Sequence, residues 1–337
     1  MADFPWPVGA ATGIGSLPGA DIAEAQRIVF GELPDLPHLA ELPGRGPGAD
    51  MIGRSAGFLV DLPVQLYAGR WQVAPRAGQD NRRTADLLER DLDQLTEQGD
   101  GFAGTLKLQS AGPWTLAASI DRPIGGRLLR DPGAVRDLTE SLAEGLRRHV
   151  DEVRKRLPRA SLLLQIDEPS LPAVLAGRVP TESGFGAYRA VDGPDAATAL
   201  RTIVEAVGVP VITHCCAAGV PLDVFRDARS AAVAIDLSLL KDLDPLGEAI
   251  EAGVGLFAGV VPSVAPAAAS ADPAAPAKRA AERVATLWKR LGFPRARLSQ
   301  QVVVTPACGL AGATEPYARV ALTASREAAR RLAETEE

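Results

Sequence analysis

Short apolar or β-branched runs alternate with longer amphipathic segments along almost the whole chain. A short run bounded by Gly, Pro or Asp predicts an interior strand, and an apolar residue every third or fourth position predicts a helix that buries one face. On this reading strands fall at 11–17, 104–110, 161–167, 210–216, 232–237, 255–261 and 300–305, with one more, weakly marked, between 40 and 66. Helices fall at 20–30, 81–98, 132–157, 196–207, 221–229, 244–252, 274–290 and 314–334. Several open on an acidic residue or a proline, as at Asp131-Pro132 and Asp195. The free N–H groups of a first helical turn favour both residue types there.

Eight strand–helix pairs predict an α/β fold, a single (βα)8 barrel of the TIM type spanning 1–337. No internal repeat is visible and no linker halves the chain. The Ala/Pro-rich stretch 264–277 predicts a mobile loop after the seventh strand. A doubly wound sheet would also alternate strands with helices. Its phosphate loop is not evident, since Gly13-Ile14-Gly15-Ser16-Leu17-Pro18 lacks the third glycine.

Composition narrows the function. With 337 residues, 46% of them hydrophobic, the chain can bury a sizeable core. Its net charge of −6 is scattered, so no basic face invites a nucleic acid or a membrane, and small molecules are the expected partners. The first residues do not read as a secretory leader, and no stretch approaches the roughly 18 apolar residues of a membrane span. A cytoplasmic enzyme is the expectation. Three cysteines, Cys215, Cys216 and Cys308, are too few for a disulfide framework and point to packing, metal or nucleophile.

The unusual polar residues gather at predicted strand ends: Ser16, Asp167 with Glu168, His214 with Cys216, Asp236, and Cys308. In a barrel of this kind that face carries the catalytic loops. His214 and Cys216 lie two apart and so face one side, with Cys215 on the other. Imidazole nitrogen and thiolate sulfur are the donors zinc prefers, and Cys308, on a glycine turn, is the third soft ligand available. The competing reading is that these are ordinary buried cysteines and a hydrogen-bonded histidine. Asp167 either captures a substrate ammonium group or serves as a salt bridge or helix cap. Asp236, a charge inside an apolar run, calls for a metal or cation partner unless it caps the strand.

The words Ile14-Gly15-Ser16-Leu17-Pro18, Gly112-Pro113-Trp114-Thr115, Gln165-Ile166-Asp167-Glu168-Pro169-Ser170-Leu171, His214-Cys215-Cys216 and Pro306-Ala307-Cys308-Gly309-Leu310 occur in order along nearly the whole chain. Together they resemble the C-terminal catalytic barrel of the cobalamin-independent methionine synthase family, within the wider group that includes uroporphyrinogen decarboxylase. The resemblance implies a zinc-dependent methyltransferase acting on homocysteine. It implies zinc held by His214, Cys216 and Cys308, with Asp236 standing where the family has a glutamate ligand. It further implies Ile14, Gly15 and Ser16 against the homocysteine backbone, Asp167 on its ammonium group, and Glu41 as a second substrate carboxylate.

The chain departs from the family in two ways. The family's full-length enzymes carry a second, N-terminal barrel that helps hold a polyglutamylated folate, and these 337 residues have no room for it. The family's proton-donating histidine belongs near the seventh strand, where this chain reads Phe257-Ala258-Gly259-Val260-Val261-Pro262-Ser263. Ala117, Ala118 and Ser119 occupy the place of an expected aromatic residue. These losses favour a methyl-corrinoid, free or protein-bound, over folate as donor, because cobalt leaves without taking a proton. The rival readings are a zinc alkyltransferase for another thiol such as coenzyme M, and a non-catalytic ligand-binding barrel.

Overall fold

Leucine-rich and β-branched runs pack well on a pleated, buried surface. In the computed structural model, which describes residues 4–266, 272 and 274–334, they form the centre of the protein. An antiparallel hairpin comes first, β1 Val64–Tyr67 and β2 Arg70–Val73. Then follow β3 Thr105–Ala111, β4 Ser161–Asp167, β5 Val211–Cys215, β6 Ala232–Asp236, β7 Gly255–Val261 and β8 Val302–Pro306. These six lie side by side in chain order, all parallel, in a curled half-barrel sheet.

The strands predicted at 11–17 and within 40–66 are not ladders. Segment 11–17 makes single parallel bridges, Ala11 to Val304 and Ser16 to Glu41, and His38 bridges to Lys107 on β3. Glycines at 13 and 15 and a proline at 18 interrupt the first segment, and neither residue type sustains a strand interior. The 40–66 window holds instead the short helix Met51–Ala56 and the start of the hairpin.

All eight predicted helices are present, their ends displaced by at most three residues. Helix Pro132–Arg156 shows the local logic. Asp131 accepts from the Gly133 and Ala134 N–H groups, a proline opens the first turn, and Arg154, Lys155 and Arg156 face the negative end of the helix dipole. Short helices at Pro113–Ala117 and Leu171–Leu175 were too brief for a periodicity to mark them. Of the predicted loop at 264–277, residues 267–271 and 273 lie outside the described residues, and 275–277 already belong to helix Ala275–Leu291. No helix among the described residues is long and apolar enough to cross a membrane.

Strand alternation sorts the apolar residues into two cores. Leu106, Leu162, Leu164, Val233 and Leu256 face the helices in the larger core. Leu163, Ile212, Ala232, Ala234, Phe257 and Val303 face the concave side, joined by Trp6, Ala10 and Leu36. Trp6 closes that floor edge-on to Phe257, with ring centroids 5.1 Å apart. A β-carbon at Gly255 would lie 2.3 Å from the indole, so the floor needs glycine there. Toward the strand C-termini the concave face turns polar, through buried Thr12, His38, Lys107, Gln109, Gln165 and Thr305.

Candidate metal centre and substrate cavity

His214 stands at the end of β5, Cys216 just beyond it, and Cys308 two residues past β8. Their ligand atoms all lie within 4.8 Å of one another. His214 Nδ1 donates to the Ala234 carbonyl at 3.1 Å, which fixes the ring and leaves Nε2 with the free lone pair. The Cys216 and Cys308 sulfurs are 3.0 Å apart, well beyond a disulfide bond of about 2.05 Å. Hydrogen bonding from Cys216 pulls the Cys308 thiol down to about 4, assisted by His214. The same contact, with burial, pushes Cys216 strongly upward. Without a cation one sulfur of the pair keeps its proton and bonds to the other, and one nitrogen with two sulfurs is a donor set that fits zinc and leaves a coordination position open.

These residues border a cavity of about 190 Å³. Its walls also include Ile14, Ser16, Glu41, Met51, Asp167 and Gly309. Three stretches far apart in sequence are tied together here. Leu17 N donates to the Glu41 carbonyl, Glu41 N to the Gly15 carbonyl, and Leu310 N to the Ser16 carbonyl. A β-carbon at Gly309 would meet Ser16 Oγ at 2.1 Å. Gly309 does not adopt a positive φ, so its value in this turn is close approach rather than backbone freedom.

The adjacent carboxylates at the end of β4 have different surroundings. Asp167 lines the cavity, and its Oδ1 accepts from Gln165 Nε2 at 2.7 Å. Burial raises its pKa to about 7, against the opposing charges of His214 and Lys107. Glu168 is fully buried and accepts from Trp114 N, Thr115 N and Thr115 Oγ1 at 3.0, 2.8 and 2.7 Å. It caps helix Pro113–Ala117, and burial raises it to about 7 as well.

Asp236 is not in the group of three candidate ligands. Its Oδ1 accepts from Ser238 N and Ser238 Oγ at 2.8 and 2.7 Å, a strand-end cap. Gly15 does not line the cavity by its own atoms but backs it through its carbonyl bond to Glu41. Cys215 points into the outer core, where burial pushes its thiol up to about 12.

Two residues were missed in the sequence reading. Lys107 is fully buried on β3, and its Nζ donates to the Ile14 carbonyl at 3.0 Å; Gln165 Nε2 donates to the same carbonyl at 2.9 Å. Burial lowers Lys107 to about 8, while Asp167 and Glu41 pull it back up. Its signal was a lysine as the one ionisable residue inside the strand Thr105–Ala111. The second is Arg54, 2% exposed, whose Nε lies 3.5 Å from Glu41 Oε1.

The chain matches the family described as the catalytic domain of cobalamin-independent synthase, over residues 104–331. No curated protein matches it. Among solved structures it is similar to a B12-independent methionine synthase from Shewanella sp. W3-18-1 in complex with selenomethionine. The TM-score is 0.63 at 12% identity, over 98% of this chain and 99% of that one. A GH5-4 broad specificity endoglucanase from Clostridium acetobutylicum aligns over 96% of this chain and 97% of its own at 9% identity, with a TM-score of 0.45. That score is too low to inform function, whereas the first match supports the architecture. The family match covers well over half of the 337 residues, including every proposed metal ligand and Asp167, and the chain belongs to the cobalamin-independent synthase catalytic-domain family.

Proposed function

We propose that this chain is a zinc-dependent methyltransferase that transfers a methyl group to the thiolate of homocysteine, with a methyl-corrinoid as donor. The observation that carries this reading is the convergence of His214, Cys216 and Cys308 within 4.8 Å beside a cavity that also holds two carboxylates. We take the whole chain as one catalytic barrel in the cytoplasm, with segments 11–17 and 37–41 completing an eight-membered ring through their bridges to β8 and β3.

Zinc, when bound, lowers the pKa of an incoming thiol so that thiolate is available near neutral pH. His214, Cys216 and Cys308 would hold it. Asp167 and Glu41 receive the substrate's ammonium group, while Ile14 and Ser16 form the wall for its backbone and Gly15 backs that wall through its bond to Glu41. Lys107 and Gln165 hold that wall through the Ile14 carbonyl. With its far end anchored, the sulfur lone pair is aimed at the donor methyl, and the new S–C bond forms as the donor–methyl bond breaks. The two acidic groups favour an amino-acid thiol over a sulfonate such as coenzyme M.

The donor assignment follows from the end of β7. The chain's three histidines are His38, His149 and His214, and none stands in the stretch 257–263. A cobalt leaving group needs no proton; a folate amine does. Purified protein should contain about one zinc per chain and methylate homocysteine from methylcobalamin. Turnover with methyl-tetrahydrofolate alone rejects the donor assignment, and unchanged zinc content in Cys308→Ala rejects the metal site.

A further inference from the structure

Helix Met51–Ala56 brings Met51 to the cavity wall and, one turn later, carries Arg54 behind it. The Arg54 side chain is 2% exposed and that of Glu41 12%. Among the described residues, Glu41 is its one ion-pair partner. The guanidinium also lies over the Phe58 ring, 5.7 Å from the centroid. None of its three nitrogens has a hydrogen-bond partner among the described residues, and neither does Nε2 of nearby His149. Phe58 packs against that histidine with the rings tilted by 42° and their centroids 4.6 Å apart. Asp91, a neighbouring acid, is taken up by Arg45 through two hydrogen bonds of 2.7 and 2.9 Å.

A guanidinium is among the costliest groups to bury, and a buried ion pair is seldom better for stability than a well-packed apolar pair. A core built for stability alone would place Met or Leu at position 54. Arg54 instead sits dry against the carboxylate whose opposite side borders the cavity. We propose that Arg54 is a positioning residue that keeps Glu41 a carboxylate at the cavity wall, so that Glu41 and Asp167 together select a substrate bearing an ammonium group. This rests on the reading of the cavity as an amino-acid thiol site.

Calorimetric titration of the zinc-loaded protein with L-methionine and with its des-amino analogue, 4-(methylthio)butyrate, tests the proposal. Wild type should prefer methionine. Arg54→Met should weaken methionine by about tenfold or more and leave the analogue nearly unchanged, with Arg54→Lys intermediate. The pH profile should move as well. Burial already raises Glu41, Arg54 and Lys107 lower it, Gln109 bonds to it and Asp91 raises it. Without Arg54, methionine affinity should be lost at a higher pH as pH falls. Should Arg54→Met fold poorly, the double variant Glu41→Gln/Arg54→Met removes both charges and should fold without regaining the amino preference. Equal binding of methionine by wild type and Arg54→Met, or equal loss of both ligands, overturns the role of Arg54. A wild type without preference for the amino form overturns the site reading, and the proposal with it.

Discussion

The two ends of the concave face are built from the same strands yet obey opposite rules. At the floor, Leu163, Ile212, Phe257 and Val303 join Trp6 in an apolar plug with no ionisable group. Two residues further along the same strands stand Gln165, His214, Gly259 and Thr305, and beyond them Asp167 and Cys216. The floor excludes water and is stabilised by burial and packing. The mouth collects carboxylates, thiols and a buried lysine, each of which raises the energy of the empty fold. Stability is therefore supplied at one end and used at the other.

Substitutions can separate these roles. The largest effect should come from Cys308→Ala, which removes one of the three proposed ligands. Zinc per chain should fall far below one and methyl transfer by about 10³-fold or more, because a metal supplies several kcal/mol of charge stabilisation. The melting temperature of the metal-free protein should barely change. Metal analysis with a methylation assay checks this, and full activity without zinc would contradict it.

Phe257→Ala inverts the pattern. Emptying the floor should cost about 3–5 kcal/mol, seen in the urea midpoint, while zinc per folded chain is retained. A milder contrast lies in the adjacent acids. Glu168→Ala strands three donors and should cost about 2–4 kcal/mol. Asp167→Asn should leave the urea midpoint close to wild type and weaken methionine about 10–100-fold by calorimetry. Similar stability losses in both would mean that the two acids share one role.

The smallest effect concerns His149, held behind the mouth. Burial, then the charges of Arg54 and Arg156, lower its pKa to about 3 from an ordinary 6.5. Below the ordinary value the unfolded chain takes up a proton that the folded one refuses. Stability should accordingly fall as pH drops from about 6.5 toward 3 and stay level above that window. His149→Gln should flatten this part of the curve. Urea midpoints at about pH 5 and pH 7.5 give the slope, and an unchanged slope would assign it to another group.

Much of this was legible in the chain. Short apolar runs such as Ser161–Asp167, buried on both faces, and long amphipathic repeats such as Pro132–Arg156, buried on one, mark their elements because burial leaves a regular trace. The sequence marks His214, Cys216, Cys308, Asp167, Ser16, Ile14 and Glu41, directly or through the family resemblance, and all seven border one cavity. Single bridges at Ala11, Ser16 and His38 leave no such trace, being set by what lies across from them. Arg54 reads in isolation as an ordinary helical arginine.

The sequence by itself determined eight of the helices, the six parallel strands, their order, and which donor atoms stand at strand ends, because those properties depend on neighbours within a few residues. Only the tertiary structure decided that Cys308 meets Cys216 across 92 positions, that Glu168 is a cap while Asp167 lines the cavity, and that Asp236 bonds to Ser238. Ligand geometry, burial and the pairing of charges depend on which distant segments share a few ångströms of space, and curling the sheet is what brings them together.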